Sequence, residues 1–362
     1  MAGVRDVARA AGVSTATVSR VLSGSADVSD DLRRKVRMAA ASLNYRPEKA
    51  RRGKRSKSAK ATAWTGASAA ALPAGGAGSM LLFVPDTHAA ALHDRSIGYF
   101  AYVFSGVMSK VQEYGLSLQL TPYPNGRLAD SLETEHLGRL KRGGAKGLLF
   151  LFSNHEEDAM LVRAKLPLPW IALNRKLDGA ELIVRTDERG GAHLAAKYLI
   201  DQGHTRIGVM AGPERYQFFE ERVTGLRETL KAAGVKLAPE CIARAELSRA
   251  GGLEMARKLL ALNPRPTVLY ATEEEFAAAA LDVAAEMGLH IPQDFSLLAF
   301  SDFVLGTRRG SAVTAVSIPA FELGYLAVEA LVNRSRIAAP MRMETVLQPT
   351  LVARQSVAKL KA

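Results

Sequence analysis

The sequence predicts a small all-α helix-turn-helix head followed by an α/β body of two doubly wound parallel-sheet halves. Three observations point there. A basic amino-terminal segment carries helically spaced apolar residues, an Ala/Gly-rich stretch follows it, and the long remainder alternates apolar runs with amphipathic stretches. The 362 residues suit two or three folded units, and 48% hydrophobic with 23% charged residues is a globular composition that excludes wholesale disorder.

Charge is unevenly placed. Residues 1–60 hold 15 Lys/Arg against 5 Asp/Glu, so they supply +10 of the net +12, and the other 302 residues supply only +2. Phosphate neutralisation provides most sequence-independent affinity for nucleic acid, so a basic head on a near-neutral body suits a polyanion; a solvated basic tail has the same charge. The apolar pattern separates the two. Val4, Val7, Ala8 and Ala11 recur at helical spacing, and Gly12 falls where a left-handed cap ends the helix. Val13 is then a buried turn residue, Ser14 an N-cap, and Val18, Val21 and Leu22 the inward stripe of a second helix. Ser29, Asp30 and Asp31 open a third helix with Leu32, Val36 and Leu43 facing inward. Two helices joined by a tight glycine turn form a helix-turn-helix, whose second helix enters the major groove. Its outward side chains Thr15, Ala16, Thr17, Ser19 and Arg20 are short near the start. Thr15 and Ala16 can offer methyl contacts to thymine and Arg20 can fork onto guanine. Ser14 and Ser19 can bond phosphate, or only cap and face solvent.

Residues 61–79 are Ala or Gly at 12 of 19 positions and read as a flexible linker with an r.m.s. span on the order of 25 Å. A helix over 61–72 with Trp64 docked on the body is the alternative. From Met80, MLLFVPD, LSLQLTPY, KGLLFLF, PWIALN and ELIVRTD read as strands, with helices around 100–114, 130–143 and 156–164. The grammar restarts with helix 189–202, RIGVMAG, helices 220–233 and 251–262, TVLYAT, helix 275–287 and FSLLAF, so two similar halves in tandem are expected. Parallel-sheet ligands bind beyond the carboxyl ends of strands, which places a small-molecule pocket between the halves. No phosphate-binding glycine loop, nucleophile elbow or zinc-spaced histidine pair occurs, so no enzyme is expected. Asp86, His88, His93 and Asp94 are the tightest polar cluster and read as an exposed loop; neither a metal nor a cofactor is expected. His204 reads as a structural residue at a helix-to-strand turn. A single cysteine, Cys241, no export signal at the start and no 18-residue apolar run point to a cytoplasmic chain without a membrane span.

VRDVARAAGVSTATVSRVLSGSADVSDDLRRKV followed by LNYRP resembles the DNA-binding head of the lactose-repressor (LacI/GalR) family. TDERGGAHLAAKYLIDQGHTRIGVMAGP, ERVTGLRETLKAAG, GLHIPQDFSLLAFSD, TAVSIPAFELG and PTLVARQSV resemble that family's core, which is periplasmic-binding-protein-like, so the resemblance spans nearly the whole chain. It implies a hinge helix after Pro47 with a leucine wedge for the minor groove. Here EKARRGKRSKSAK holds no leucine, and Lys54 stands about where the wedge would fall. Arg51, Arg52 and Lys54 can still track phosphates, or form a solvated charge run. By the same resemblance Arg222, in R-x-x-G, grips effector, and Tyr99 and Phe100 line the pocket. An internal salt bridge for Arg222 and core packing for Phe100 are the alternatives. Phe300-Ser301-Asp302 replaces the usual Phe-Asp-Asp, and Glu273-Glu274 the usual Asn-Asp, so Glu273 and Ser301 mark a pocket unlike a plain sugar site.

The chain is therefore expected to be a sequence-specific DNA-binding transcription regulator, a repressor. It would bind double-stranded operator DNA of pseudo-palindromic sequence as a homodimer, because one helix-turn-helix contacts too little DNA for tight specificity. A small-molecule effector of unknown identity modulates it. No leucine heptads follow Val357, so no coiled-coil tetramer is expected. The expected domains are 1–47 (head), 48–79 (basic hinge and linker) and 80–356 (effector-binding and dimerisation body). The alternatives are a DNA-binding dimer whose body senses nothing, and a small-molecule-binding α/β protein or enzyme with a basic tail.

Overall fold

The computed structural model describes residues 4–22, 32, 35, 36, 39, 78–86, 98–124, 127–132, 134–151, 154–303, 313–334, 336–337 and 342–360. The chain forms two compact units, Met1–Ala71 and Leu72–Ala362.

In the first unit, α1 (Val4–Ala11) ends at Gly12, whose φ of 64° is the left-handed value that a β-carbon disfavours. The Val13 amide then donates back to the Ala8 carbonyl at 3.0 Å, closing the turn. Ser14 Oγ accepts from the Thr17 amide at 3.1 Å and starts α2 (Thr15–Leu22). Val7, Ala8, Val18, Val21, Val36 and Ala39 are buried together, with Val4, Ala11, Val13 and Leu32 packed around them. The apolar spacing thus makes the predicted miniature core; Ala39 joins it although the stripe was read through Leu43. Ser29 to Asp31, Leu43, the hinge with Arg51, Arg52 and Lys54, residues 61–77, and His88, His93 and Asp94 lie outside the described residues.

The second unit has two lobes. The first is built from β1 (Ser79–Pro85), α3 (Tyr99–Glu113), β2 (Ser117–Tyr123), α4 (Leu128–Ser131), α5 (Thr134–Arg142), β3 (Ala145–Phe150), α6 (His155–Arg163), β4 (Trp170–Leu173) and β5 (Leu182–Thr186). The second is built from α7 (Glu188–Asp201), β6 (Ile207–Ala211), α8 (Gln217–Ala232), β7 (Ile242–Arg244), α9 (Arg249–Leu260), β8 (Val268–Ala271), α10 (Glu274–Glu286), β9 (Ser296–Phe300) and β10 (Thr314–Ser317). Each central strand is buried along its length, as strands covered by helices on both faces must be.

The halves are not strictly in tandem, which corrects the sequence reading. After β10 the chain returns to the first lobe as α11 (Ala320–Arg334) and β11 (Met343–Leu347), then crosses back as β12 (Thr350–Val352). The sheets run β11-β5-β4-β3-β1-β2 and β12-β10-β9-β8-β6-β7, parallel throughout except for antiparallel β10–β12. Three crossings therefore tie the lobes, and the Asp187 amide donates to the Leu347 carbonyl at 2.9 Å to bind two of them. Two smaller corrections follow. The helix expected over 130–143 is two helices, α4 and α5, and the first strand begins at Ser79, so Gly78 and Ser79 belong to the body.

Helices α3 and α11 approach so closely that a β-carbon on Gly106 would lie 1.9 Å from the Phe321 carbonyl oxygen. One on Gly324 would lie 2.0 Å from that of Val103. Only glycine at both positions allows this backbone contact, which fixes α3 and so the entrance of Tyr99 into the space between the lobes.

Candidate functional site

In the head, the described part of α2 divides into an inward and an outward face. Val18 and Val21 turn α2 inward, which leaves Thr15 and Ala16 exposed at its first turn. Ser14 is exposed and its Oγ is shared with Thr17 Oγ1 at 2.9 Å, so both hydroxyls serve the cap. The side chains of Ser19 and Arg20 lie outside the described residues, although their backbone is in α2.

In the body, the residues that follow the carboxyl ends of the strands converge between the lobes, as a parallel sheet requires. Arg222, from α8, is 2% exposed. Its Nε donates to Glu188 Oε2 at 2.6 Å, and its Nη1 to the Thr272 carbonyl at 2.6 Å and to Glu273 Oε2 at 3.1 Å. The guanidinium lies over the Phe300 ring at 4.0 Å and near Phe218 at 5.2 Å. Burial alone would depress the Arg222 pKa, but the two carboxylates more than reverse it. The internal salt bridge is thus present, in duplicate. Glu188 Oε1 also accepts from Asn174 Nδ2 at 3.1 Å across the lobes. Asn174 adopts φ 57°, and its Oδ1 accepts from the Thr186 amide at 3.1 Å, which holds its side chain toward Glu188. Glu273 caps α10, accepting from the Glu274 amide at 3.1 Å; burial, opposed by Arg222, raises its carboxyl pKa.

Tyr99, at the start of α3, has its hydroxyl among Glu188, Arg222, Glu273 and Arg175, and burial followed by the charge of Glu188 raises its pKa well above 10.0. Phe100 points elsewhere: it is buried in the first lobe's core, 6.0 Å from the Phe104 ring, so the pocket-wall role implied for it is replaced by packing. Ser301 is fully enclosed with φ 72°, and its Oγ has no hydrogen-bond partner among the described residues.

The sequence alone does not single out Asn174, Arg175, Asp158, Glu188, Tyr102 and Phe303, which stand beside these residues. Arg175 Nε meets Asp158 Oδ1 at 2.7 Å with side-chain exposures of 4% and 11%. A β-carbon on Gly98 would stand 1.8 Å from Glu274 Oε1, and Phe303 lies 4.7 Å from the Tyr102 ring, so the lobes are closed on one another here. One cavity between the lobes, lined by Leu151, Asp158, Leu173, Asn174, Arg175, Gln217 and Phe218, is about 10 Å³, room for one water, and an open cavity of about 390 Å³ adjoins it at Asp158 and Gln217. Among the described residues no cluster of His, Cys, Asp and Glu suits a metal, and no helix is long and apolar enough to cross a membrane.

A helix-turn-helix head joined to a two-lobed body with a polar interlobe cleft defines a DNA-binding regulator of the binding-protein-like class. Comparison with known proteins narrows the class. Residues 4–48 match the model of bacterial regulatory proteins of the lacI family, and residues 196–357 that of periplasmic binding protein-like domains. The ribose operon repressor of Haemophilus influenzae is 30% identical over 365 residues, covering all of both chains. The solved complex of transcriptional regulator CelR with cellobiose is 25% identical, covers 98% of this chain and 100% of that one, and superposes with a TM-score of 0.68. The lac repressor dimer bound to operator and the anti-inducer ONPF shares the fold over 99% of both chains, with a TM-score of 0.67 at 20% identity. The chain belongs to the lacI family of bacterial regulatory proteins.

Proposed function

We propose that this chain is a cytoplasmic transcriptional repressor, not an enzyme, that binds a pseudo-palindromic operator as a homodimer and releases or tightens on it in response to a small molecule in the interlobe cleft. The observation that carries the reading is α2 itself, a capped helix whose first turn exposes short side chains, in an amino-terminal segment whose residues 1–60 hold +10 of the net +12 charge. Within it, Thr15, Ala16, Thr17 and Arg20 read bases, Ser14 and Ser19 approach phosphate, and Arg51, Arg52 and Lys54 follow the backbone. In the body, Tyr99, Arg222, Glu273 and Ser301 face effector, joined by Asn174, Arg175 and Glu188. The head spans 1–47, the hinge and linker 48–77 and the two-lobed body 78–356. Genome-wide mapping of DNA bound by the full chain tests this: a recurrent two-fold symmetric motif is expected, and uniform occupancy would refute sequence-specific binding.

One observation favours a second reading in which the body only dimerises. The cavity beside Arg175 is only about 10 Å³, and two carboxylates already occupy the Arg222 guanidinium. The two readings separate by melting. A ligand at 100 times its Kd adds about 2.7 kcal/mol of stability, whereas a body without a site gains nothing from any metabolite.

A further inference from the structure

The six strands of the first sheet are parallel, so their amino termini share one edge, and α3, α5, α6 and α11, which lead into four of them, end there. Six cations gather at that edge. Lys141 and Arg142 end α5, Arg163 ends α6 and Lys165 follows it, Lys146 lies at the start of β3, and Arg336 follows α11. All six are exposed, and none meets a carboxylate among the described residues. The described acids of the edge are already engaged: Glu181 with Arg334 at 2.8 Å, Asp178 with Arg342 at 3.2 Å, and Glu113 with Lys110 at 3.4 Å. Basic residues at helix carboxyl ends ordinarily complement the helix dipole, which accounts for about half a charge per helix. The four helix ends, with Glu329 as a second carboxylate on Lys110 at 3.2 Å, together offset about three of the six charges. About three positive charges are left over. Like charges held together without acids repel, and an anionic partner relieves that.

A second observation points to the partner. The chain enters the body in the middle of this edge: the Gly78 carbonyl accepts from the Ser117 amide at 3.0 Å, and the Ser79 amide donates to the Gly144 carbonyl at 3.1 Å. The Lys146 side chain lies against the entering chain, since a β-carbon on Gly78 would stand 2.7 Å from Lys146 Cε. The tether to the basic head therefore leaves from among these cations, and a duplex held by the head is tethered to them through the same chain. Six strands at about 4.8 Å spacing give an edge of roughly 24 Å. A duplex carries one negative charge per about 1.7 Å of its axis, so the edge is long enough to meet several phosphates.

We propose that this edge of the first lobe is a second DNA-contacting surface, which follows the phosphates of the duplex beside the sequence read by the head. Helix carboxyl ends and strand beginnings make a blunt edge, whereas a groove admits a projecting helix or ribbon, so the contacts go to phosphate. They add affinity and salt dependence and leave the choice of sequence to the head. This inference rests on reading the chain as a DNA-binding regulator.

The test uses the purified full chain and a random-sequence duplex of roughly 40 base pairs, about four helical turns, so no operator need be known. Affinity is measured against salt concentration. Lys141→Gln, Arg142→Gln and Lys146→Gln combined are expected to reduce the slope of log affinity against log salt by about 1 or more, since each phosphate contact contributes about 0.9. Lys231→Gln, Lys236→Gln and Lys258→Gln combined remove the same charge from exposed positions of the second lobe and should leave the slope unchanged. Circular dichroism and the melt without DNA check that both variants fold. Lysine acylation read by mass spectrometry is an independent measure: bound duplex should protect Lys146 and Lys165 and leave Lys231 reactive. A smaller change of slope in the first variant, an equal change in the second, or no protection of Lys146 and Lys165 overturns the inference while DNA binding by the head stands. If the unaltered chain fails to bind the duplex even at low salt, the DNA-binding reading falls as well.

Discussion

Arg222 gives up its hydration for two carboxylates, a carbonyl and an aromatic face, so its removal strands charge instead of opening a pocket. Taking one partner from a buried ion pair costs about 3–5 kcal/mol, and Arg222→Met should lower urea-unfolding stability by that order. A loss below 1 kcal/mol would show Arg222 to be a ligand group held in reserve. Arg20 belongs to the other surface. If it forks onto guanine, Arg20→Ala costs about 1–3 kcal/mol on operator and relaxes preference at one base per half-site. Equal weakening on random DNA would make it a phosphate contact. His204 is fully buried, with Nε2 facing the Ala358 carbonyl at 3.1 Å and Nδ1 against Thr267 Oγ1 at 2.8 Å. Burial depresses its pKa below 6.5, so the unfolded chain takes up the proton more readily. Its contribution to stability is therefore present above pH 6.5 and is lost as pH falls below that value toward the depressed one. Melting temperature should drop between pH 7.5 and 5.5, and should drop less in His204→Gln.

At the scale of elements, the glycine pair joining α3 to α11 makes a sharp prediction. Gly324→Ala places a methyl 2.0 Å from a backbone oxygen that cannot swing away, so the helices must part. Overpacking of this kind costs about 1–3 kcal/mol, to be measured by denaturation, and effector affinity should fall with it because α3 carries Tyr99. Central strands were legible in the sequence because burial on both faces demands continuous apolar runs, as in IGVMA and SLLAF. Of the edge strands only β2 was: IAR and TLV are three residues long, and in METVL the exposed Glu344 and Val346 alternate with half-buried residues, so tertiary pairing decides their state. Helix α11 was within reach, since Ala320, Leu323, Gly324, Ala327, Val328 and Leu331 keep helical spacing. In the cleft, Arg222 and Glu273 were found by motif. Asn174, Arg175 and Glu188 were missed, although each follows the carboxyl end of a strand that had been read correctly. That rule of position, applied strand by strand, would have named them.

At the scale of the molecule, the route of the chain matters more than either lobe. The first lobe borrows helix α11 and strand β11 from sequence that lies beyond all of the second lobe except β12 and the segment after it. Without them β5 becomes an open edge, and the apolar face beneath α11, including Val103, Val107 and Leu149, meets water. A chain ended at residue 319 should therefore be poorly soluble and bind hydrophobic dyes, although it retains five of the six strands of that sheet. A soluble, cooperatively melting fragment would refute this dependence.

The same route sets an order of birth. On a ribosome the first lobe emerges early but has no sixth strand until residue 343 is made, roughly 160 residues after β5. At about 5–20 residues per second that is on the order of 10–30 s. During that interval the nascent first lobe is exposed and adhesive while the second lobe takes shape, so chaperone demand should fall on the half synthesised first. The part of the body made earliest waits longest for its last strand.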